Sequence, residues 1–445
     1  MIPYLKSLLQ EVPKPIGSLL SKIPYRLQPV IGPIYALHQK EIASFVSKDI
    51  ESQKSYVLAK IRNVLRHAAQ VPFYRNLYAS CGVTPEDVSS FSDLEKLPIV
   101  TKEMLRAVPL EQRSARALGR YTTNTGGSSG STLTFYITPN LIPNEWAHMH
   151  TIWSKLGYEQ SMLRMTCGGR NLEGKSIVYD GLRNQLSVNV YKGFKSILKE
   201  LRTTLKREKV YYLHGYPSAL AEFATNCDQH APDLVRILRR TLRGAFLGSE
   251  FPALVYRNRI ESVFGIPTVS WYGHTERAIL AWEKKEKFVY HPFQTYGYCE
   301  VIPNDDTGGW KLIGTSYGNF ASPFIRYDTG DDVEPIEVED GLLLSFRIRS
   351  GRLGEFVVDR HGTKIPLTAL IFGRHHRLFD IAAFIQVRQD VPGAMTVIVT
   401  PKEKLLSGIF FDNWFDNAGL DMKITFQVVE KPILSASGKV KLKVT

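Results

Sequence analysis

Three short stretches gather side chains that could handle a nucleotide. The first, TTNTGGSSGSTLTFY at 122–136, runs through Thr125, Gly126, Gly127, Ser128, Ser129, Gly130 and Ser131 between two strand-like segments, with no charged residue in it. Turns of this kind let backbone N–H groups close around phosphate oxygens. The stretch has no lysine to complete GxxxxGK[ST], which argues against a Walker-type NTPase. Taken alone it reads equally well as a flexible serine–glycine connector. The second, WYGHTERAIL at 271–280, offers an aromatic ring, a turn glycine, a hydroxyl and a carboxylate. That set could border a base, admit close approach, touch a phosphate and hold a divalent metal. Read for structure only, it is a strand running into a helix capped by Thr275. The third, RYDTGDDVEPI at 326–336, sets Asp331 after a glycine, where its carboxylate can accept from sugar hydroxyls; an acidic turn explains it as well. SGRLGE at 350–355 and the C-terminal SASGKVKLKV, with Lys439 after a glycine, complete the candidates.

The elements that must position them follow from periodicity. From Lys40 to about Ala79 apolar residues recur at three and four, a helical pattern, and Thr101 caps a further helix in PIVTKEMLR with Glu103 in its first turn. EWAHMHTIWSKLG reads as a helix, VYYLHGYPSALAEFATNC as strand, turn and helix, and LRGAFLGSEFPALVYRNRIESVFG repeats that theme. Strands alternating with helices predict a largely parallel sheet, with ligands at the strand C-terminal ends, where GYPS, GSE and YGHTE all fall. From about Glu300 the chain turns to short strands, with DDTGG as a hairpin turn. Beyond Arg352 strand-like IAAFIQVRQDVPGAMTVIVTP, helical GIFFDNWFDNAGL and strand-like KITFQVVE predict a small α+β unit. The expected organisation is α/β: a large N-terminal domain over 1–350 with mostly parallel sheets, flanking helices and a β-rich subdomain, then a small mobile domain over 351–445.

Composition narrows the function classes. With 56 basic and 43 acidic residues the net charge is +13, favouring an anionic partner. Nucleic acid is not expected, since zinc-finger spacing, aromatic RNA-binding signatures and dense basic blocks beyond KVKLK are all missing from the sequence. Cys81, Cys167, Cys227 and Cys299 form no CxxC pair, which speaks for a reducing, cytoplasmic setting and against a disulfide framework. The N-terminal MIPYLKSLLQEVPKPIGSLLSKIPYRL lacks a signal-peptide core and is broken by prolines. Two readings stand for it: short segments packed on the main body, which the prolines favour, or weak contact with a membrane surface.

In order along the chain, TGGSSGSTL, GSE, YGHTE, YDTGD, GR and SGK resemble the core motifs of the adenylate-forming superfamily of acyl- and aryl-CoA synthetases. PIVTKEMLR and YLHGYPSAL look most like its phenylacetate-CoA ligase branch, especially the CapK-like proteins linked to capsular and surface polysaccharide synthesis. The resemblance covers roughly residues 40–445, and six weak motifs in the right order are far more specific than any one.

What it implies is a two-step reaction: a carboxylic acid attacks the α-phosphate of ATP, giving an acyl-adenylate and pyrophosphate, and CoA or an amine then displaces AMP. Carried over by position, Thr125 to Ser131 contact the β- and γ-phosphates. Gly248, Ser249, Glu250, Tyr272 and Gly273 border the nucleotide, Thr275 reaches the α-phosphate and Glu276 holds Mg²⁺. Asp331 binds ribose, and Arg352 sits beside ribose or phosphate. Lys439 places positive charge where negative charge builds. His214, Tyr216, Pro217, Trp271 and His274 line the acid pocket, although both histidines also read as core or capping residues. Gly351 and Gly354 are the expected hinge of a rotating small domain.

Departures accompany these matches. Leu133 stands where many relatives carry lysine, with Arg326 or Arg352 as candidate substitutes. Only His291 and Cys299 survive as ligands of the zinc cluster found in some relatives, so no structural zinc is expected and Cys299 reads as a buried strand residue. Two further readings are a catalytically silent nucleotide-binding scaffold and a basic membrane-surface protein.

Overall fold

The computed structural model describes residues 11–28, 32–125, 133–169, 172–305, 308–349, 355–372, 374, 376–401, 411–433 and 441–444. The helical pattern expected as one stretch from Lys40 is divided by local chemistry. After Lys14–Leu20 (α1) and Gly32–Val46 (α2), the Asp49 side chain accepts from Ser52 N at 2.8 Å and starts Ile50–Ala68 (α3), and Pro72 opens Pro72–Cys81 (α4). The inner face of α3, including Val57, Ile61, Val64 and Ala68, is buried. Thr101 caps Lys102–Arg106 (α5), accepting from Met104 N at 3.2 Å as expected.

Tyr121–Asn124 (β1) and Thr134–Ile137 (β2) pair antiparallel and flank the glycine-rich stretch. Leu141–Ser154 (α6) follows, then the strands of the central sheet: Arg164–Cys167 (β3), Ile177–Asp180 (β4), Gln185–Val188 (β5), Tyr212–Gly215 (β6), Gly244–Leu247 (β7), Thr268–Gly273 (β8), Leu280–Trp282 (β9) and His291–Pro292 (β10). Their order is β10-β9-β8-β7-β6-β3-β5-β4. The run from β5 through β3, β6 and β7 to β8 is parallel, while β4 on one side and β9 and β10 on the other are antiparallel. Phe194–Arg207 (α7), Pro217–His230 (α8), Pro232–Thr241 (α9) and Leu254–Phe264 (α10) connect the parallel strands. Their apolar faces bury Leu201, Leu220, Phe223 and Ile260 against Met165, Leu213, Ala245 and Leu247 of the sheet. The opposite side packs Trp153, Tyr212, Phe246 and Val269. Strand β7, GAFL, is apolar and buried throughout, as a parallel strand covered on both sides must be.

Gly297–Asn304 (β11), Gly309–Ser316 (β12), Tyr327–Glu339 (β13) and Leu342–Ile348 (β14) form an antiparallel sheet. Asn304 pairs with Gly309, so the first hairpin closes where DDTGG lies. After Phe356–Val358 (β15) and Lys364–Pro366 (β16), the last sheet is built from Ala382–Arg388 (β17), Ala394–Pro401 (β18), Lys423–Val428 (β19) and Lys443–Val444 (β20), in the order β19-β18-β17-β20.

One expectation is corrected here. WYGHTERAIL is not a strand entering a helix. Thr275 and Glu276 occupy a turn closed by Arg277 N donating to His274 O at 3.0 Å, and Leu280–Trp282 returns antiparallel along β8. Thr275 therefore caps no helix. Glu, Arg and Ala favour a helix locally, but Ala278, Ile279, Leu280 and Ala281 are all buried, and that burial overrides the weak propensity.

Candidate active site

The C-terminal ends of β6, β7 and β8 carry HGYPS, GSE and YGHTE side by side, because these strands are sheet neighbours. Gly248 N donates to Gly215 O at 3.2 Å, stitching two of the turns together. A Cβ on Gly248 would lie 2.4 Å from Trp271 Cζ2, so only glycine lets the Trp271 indole cross the GSE turn. Ser249 is exposed with φ +68°, whereas Glu250 is buried and its Oε2 accepts from Ser218 N at 3.2 Å, at the start of α8. A carboxylate there complements the helix dipole and fixes the turn, so the Glu250 side chain acts as a brace.

The turn after β8 exposes Gly273 and Thr275 and buries Glu276. Three residues from different elements hold that carboxylate. Tyr327 Oη donates to Oε1 at 2.9 Å, Lys102 Nζ lies 3.6 Å from Oε1, and His274 Nδ1 is 3.3 Å from Oε2. Burial opposes the charge on Glu276, but the His274 hydrogen bond and the Lys102 charge overcome it and bring the carboxyl down to about 2. Tyr272 Oη donates to Asp331 Oδ2 at 2.6 Å, joining β8 to β13. The Tyr272 ring is 8% exposed and packs edge-on to Phe346, so its visible work is to fix Asp331, whose side chain stays half-buried.

Lys102 and Tyr327 were not singled out by their types or spacing. Their placement comes from a long-range stitch: Val100 N donates to Arg326 O and Asp328 N donates to Val100 O, both at 2.9 Å, so PIVTK runs beside the YDTGD strand. In the sequence that segment is marked by the cap signal at Thr101 and by the resemblance of PIVTKEMLR, neither of which points to Lys102 as a partner of Glu276.

Several expected residues occupy other roles. Thr125 is buried, and its Oγ1 accepts from Leu133 N at 2.9 Å, closing the neck of the glycine-rich stretch. Leu133 is itself fully buried, so a lysine at this position would face the core. Arg326 cannot replace that charge at a phosphate: Nε donates to Glu300 at 2.6 Å, and Nη1 donates to Leu94 O and Leu97 O. Pro217 is buried at the first position of α8, and Tyr216 packs toward the C-terminal core. Gly126, Gly127, Ser128, Ser129, Gly130, Ser131, Arg352 and Lys439 lie outside the described residues.

His214 sits at the end of β6, its ring 5.4 Å from Trp153 and 5.9 Å from Trp271. Burial, then repulsion from Arg164 and Arg183, push this imidazole down to about 3, so it is neutral near pH 7. Its Nδ1 and the Nε2 of His274 are buried without a hydrogen-bond partner among the described residues. Cys299 is buried in β11, and among the described residues no group of three His, Cys, Asp or Glu side chains could hold a metal by itself.

The C-terminal region packs on the body through Tyr191. The Arg374 guanidinium lies 3.9 Å from the centre of its ring, and Lys364 Nζ is 3.4 Å from Glu222. A cleft of about 470 Å³ opens between α7, α8 and the β15–β16 hairpin, with Lys192, Lys195, His230, His361 and Lys364 among its walls.

No family model matches the chain. Among curated proteins it is similar to Protein CapK of Staphylococcus aureus, 24% identical over 370 residues, 78% of this chain and 79% of that protein. It is also similar to phenylacetate-coenzyme A ligase of Pseudomonas putida, 26% identical over 306 residues, 63% of this chain and 66% of that enzyme. A solved 2-hydroxyisobutyryl-CoA ligase in complex with 2-HIB-AMP and CoA in the thioesterification state shares the fold, with a TM-score of 0.54 at 16% identity, over 89% of this chain and 91% of that one. The chain thus resembles adenylate-forming enzymes in sequence and shares the fold of an AMP-forming ligase. The curated proteins it is similar to are of the CapK and phenylacetate-CoA ligase kinds.

Among the described residues no helix is long and apolar enough to cross a membrane.

Proposed function

We propose that this protein uses ATP to activate a carboxylic acid as its adenylate, releases pyrophosphate, and passes the acyl group to CoA. The observation that carries the reading is the pair of anchored carboxylates beside one turn, Glu276 held ionised by His274 and Lys102 and Asp331 held by Tyr272. Asp331 would take the ribose hydroxyls, and exposed Thr275 would meet the α-phosphate. One ionised, buried carboxylate fits a Mg²⁺ that arrives on the nucleotide, because Mg²⁺ is commonly bound by one or two carboxylates plus substrate phosphates. When bound, that ion offsets charge on the phosphate chain. Lys102 limits the charge left on Glu276 and keeps its side chain in place.

The acid would lie near Trp271, with His214 Nδ1 and His274 Nε2 as its polar contacts. Residues 351–445 would form a separate small domain that delivers Lys439 to the α-phosphate for the first step and turns for the second. That turn would break the Tyr191–Arg374 and Lys364–Glu222 contacts. The basic walls of the interdomain cleft suit a phosphorylated acceptor such as CoA. The motif resemblance to CapK-like proteins suggests surface polysaccharide synthesis as the setting, where an amino sugar or amino acid amine is the alternative acceptor.

Pyrophosphate release measured over a panel of carboxylic acids tests the first step, and product mass with CoA or an amine identifies the second. The expected result is acid-dependent pyrophosphate and a CoA thioester. ATP binding with no pyrophosphate from any acid would overturn the catalytic reading in favour of a scaffold.

A further inference from the structure

The first helix is inside out. Around α1, Gly17 and Ser21 face the body while Ile16, Leu19, Ile23 and Leu27 are 53%, 66%, 42% and 64% exposed. A surface helix normally buries its large apolar side chains and displays its small and polar ones. Close packing holds the arrangement in place. A Cβ on Gly17 would meet the Tyr179 hydroxyl at 2.5 Å, so α1 lies tight on β4, the edge strand of the central sheet, and covers an edge that would otherwise invite pairing. Tyr25, between Ile23 and Leu27, sits 4.7 Å from the Tyr35 ring and 5.4 Å from His150. The apolar ridge is therefore presented outward by a segment fixed at both ends.

The charge around it is mostly positive, with Glu11 and the Lys14-paired Glu208 as acidic exceptions. Between Val12 and Lys40 there is no Asp or Glu, while Lys14, Lys22, Arg26 and Lys40 are basic. Lys14 pairs with Glu208, bringing α1 beside the C-terminal end of α7, where Lys206, Arg207 and Lys209 are exposed. An apolar ridge rimmed by Lys and Arg matches an anionic bilayer surface, with apolar side chains among the acyl chains and cations over the phosphates. The same rim opposes a second copy, since a two-fold interface would set like charges against each other.

We propose that this face docks the protein on anionic lipid headgroups. The contact is peripheral, and it places the enzyme at a membrane surface independently of which acid it activates.

Flotation of the full chain with vesicles tests it, using phosphatidylcholine alone and phosphatidylcholine with phosphatidylglycerol at roughly three to one. The expected result is co-flotation with the anionic vesicles only, lost on raising salt. A Lys206→Glu, Arg207→Glu, Lys209→Glu variant should partition about a hundredfold more weakly. Leu19→Ser with Leu27→Ser should also weaken binding, with the thermal melting curve of each variant confirming the fold. Equal flotation of wild type and charge variant, or no flotation at low salt, would overturn the proposal. So would a wild-type dimer in sedimentation that the Leu19→Ser, Leu27→Ser variant abolishes.

Discussion

Glu276 shows how a buried carboxylate can stay charged. Desolvation alone would raise its pKa, yet the His274 hydrogen bond and Lys102 charge take it to about 2, below the ordinary carboxylate value near 4.5. A folded-state pKa below the unfolded one stabilises the protein above pH 4.5, and that contribution is lost as pH falls from 4.5 toward 2. It amounts to about 3 kcal/mol at neutral pH. Glu276→Gln should therefore lower the urea midpoint at pH 7, with the gap to wild type narrowing as pH falls from 4.5 toward 2; a constant gap across that range would show that ionisation of Glu276 contributes nothing. On the proposed function, the same variant should slow acid-dependent pyrophosphate release by at least about a hundredfold, and a normal rate would end the proposal that Glu276 holds Mg²⁺. Lys102→Met leaves Glu276 without its nearest cation. Its urea midpoint should fall less steeply with acid than that of wild type, because the carboxyl then titrates closer to its ordinary range.

At the scale of elements, the site depends on β8 and its turn being tied to β13 by two side-chain hydrogen bonds, Tyr272 to Asp331 and Tyr327 to Glu276. Tyr272 lies one residue before the end of β8 and Asp331 lies in β13, 59 residues apart in sequence, and the 2.6 Å contact sets the angle of the Asp331 carboxylate. Tyr272→Phe removes the hydroxyl and keeps the ring against Phe346, so stability should fall by only about 1 kcal/mol. If Asp331 binds ribose, KM for ATP should rise roughly tenfold while kcat for the acid-saturated reaction changes little. Loss of kcat with unchanged KM would show that the pair serves something other than nucleotide binding. These elements also show what local sequence can carry. The parallel strands, their helices and the Thr101 cap are legible because apolar period and capping chemistry are local. The turn after β8 is not, since buried Ala278–Ala281 is drawn into antiparallel pairing by a neighbour across the sheet. Lys102 and Tyr327 stay hidden for the same reason: they meet Glu276 only because the chain near Val100 pairs with the chain near Tyr327. Thr125 is legible as a loop residue, but whether its hydroxyl faces a ligand or closes the neck depends on Leu133 being drawn into the core.

For the whole molecule, the buried neutral histidines and the proposed delivery of Lys439 by a separate unit both have measurable consequences. Burial pushes His148 down to about 4, and burial with the Arg164 charge pushes His150 and His214 down to about 3, whereas an unfolded imidazole titrates near 6.5. Below pH 6.5 the unfolded chain thus binds protons that the folded chain refuses, and stability falls as pH drops toward 3. Between pH 6 and 4.5 His214→Phe should flatten the slope of stability against pH by up to one proton; an unchanged slope would mean that His214 is protonated in the folded protein. The two-unit reading makes the sharper demand. If residues 351–445 bring Lys439 to the α-phosphate only for adenylation, that cation stabilises the first transition state and is absent from the second. Lys439→Ala should then cut pyrophosphate release by about a hundredfold or more while leaving transfer from a supplied acyl-adenylate to CoA within about threefold of wild type. Arg374→Ala, which frees the face of Tyr191, should instead change the balance between the two steps without removing either. Equal loss of both half-reactions in Lys439→Ala would mean that one fixed arrangement of the chain serves both steps, and the rotating unit would have to be given up.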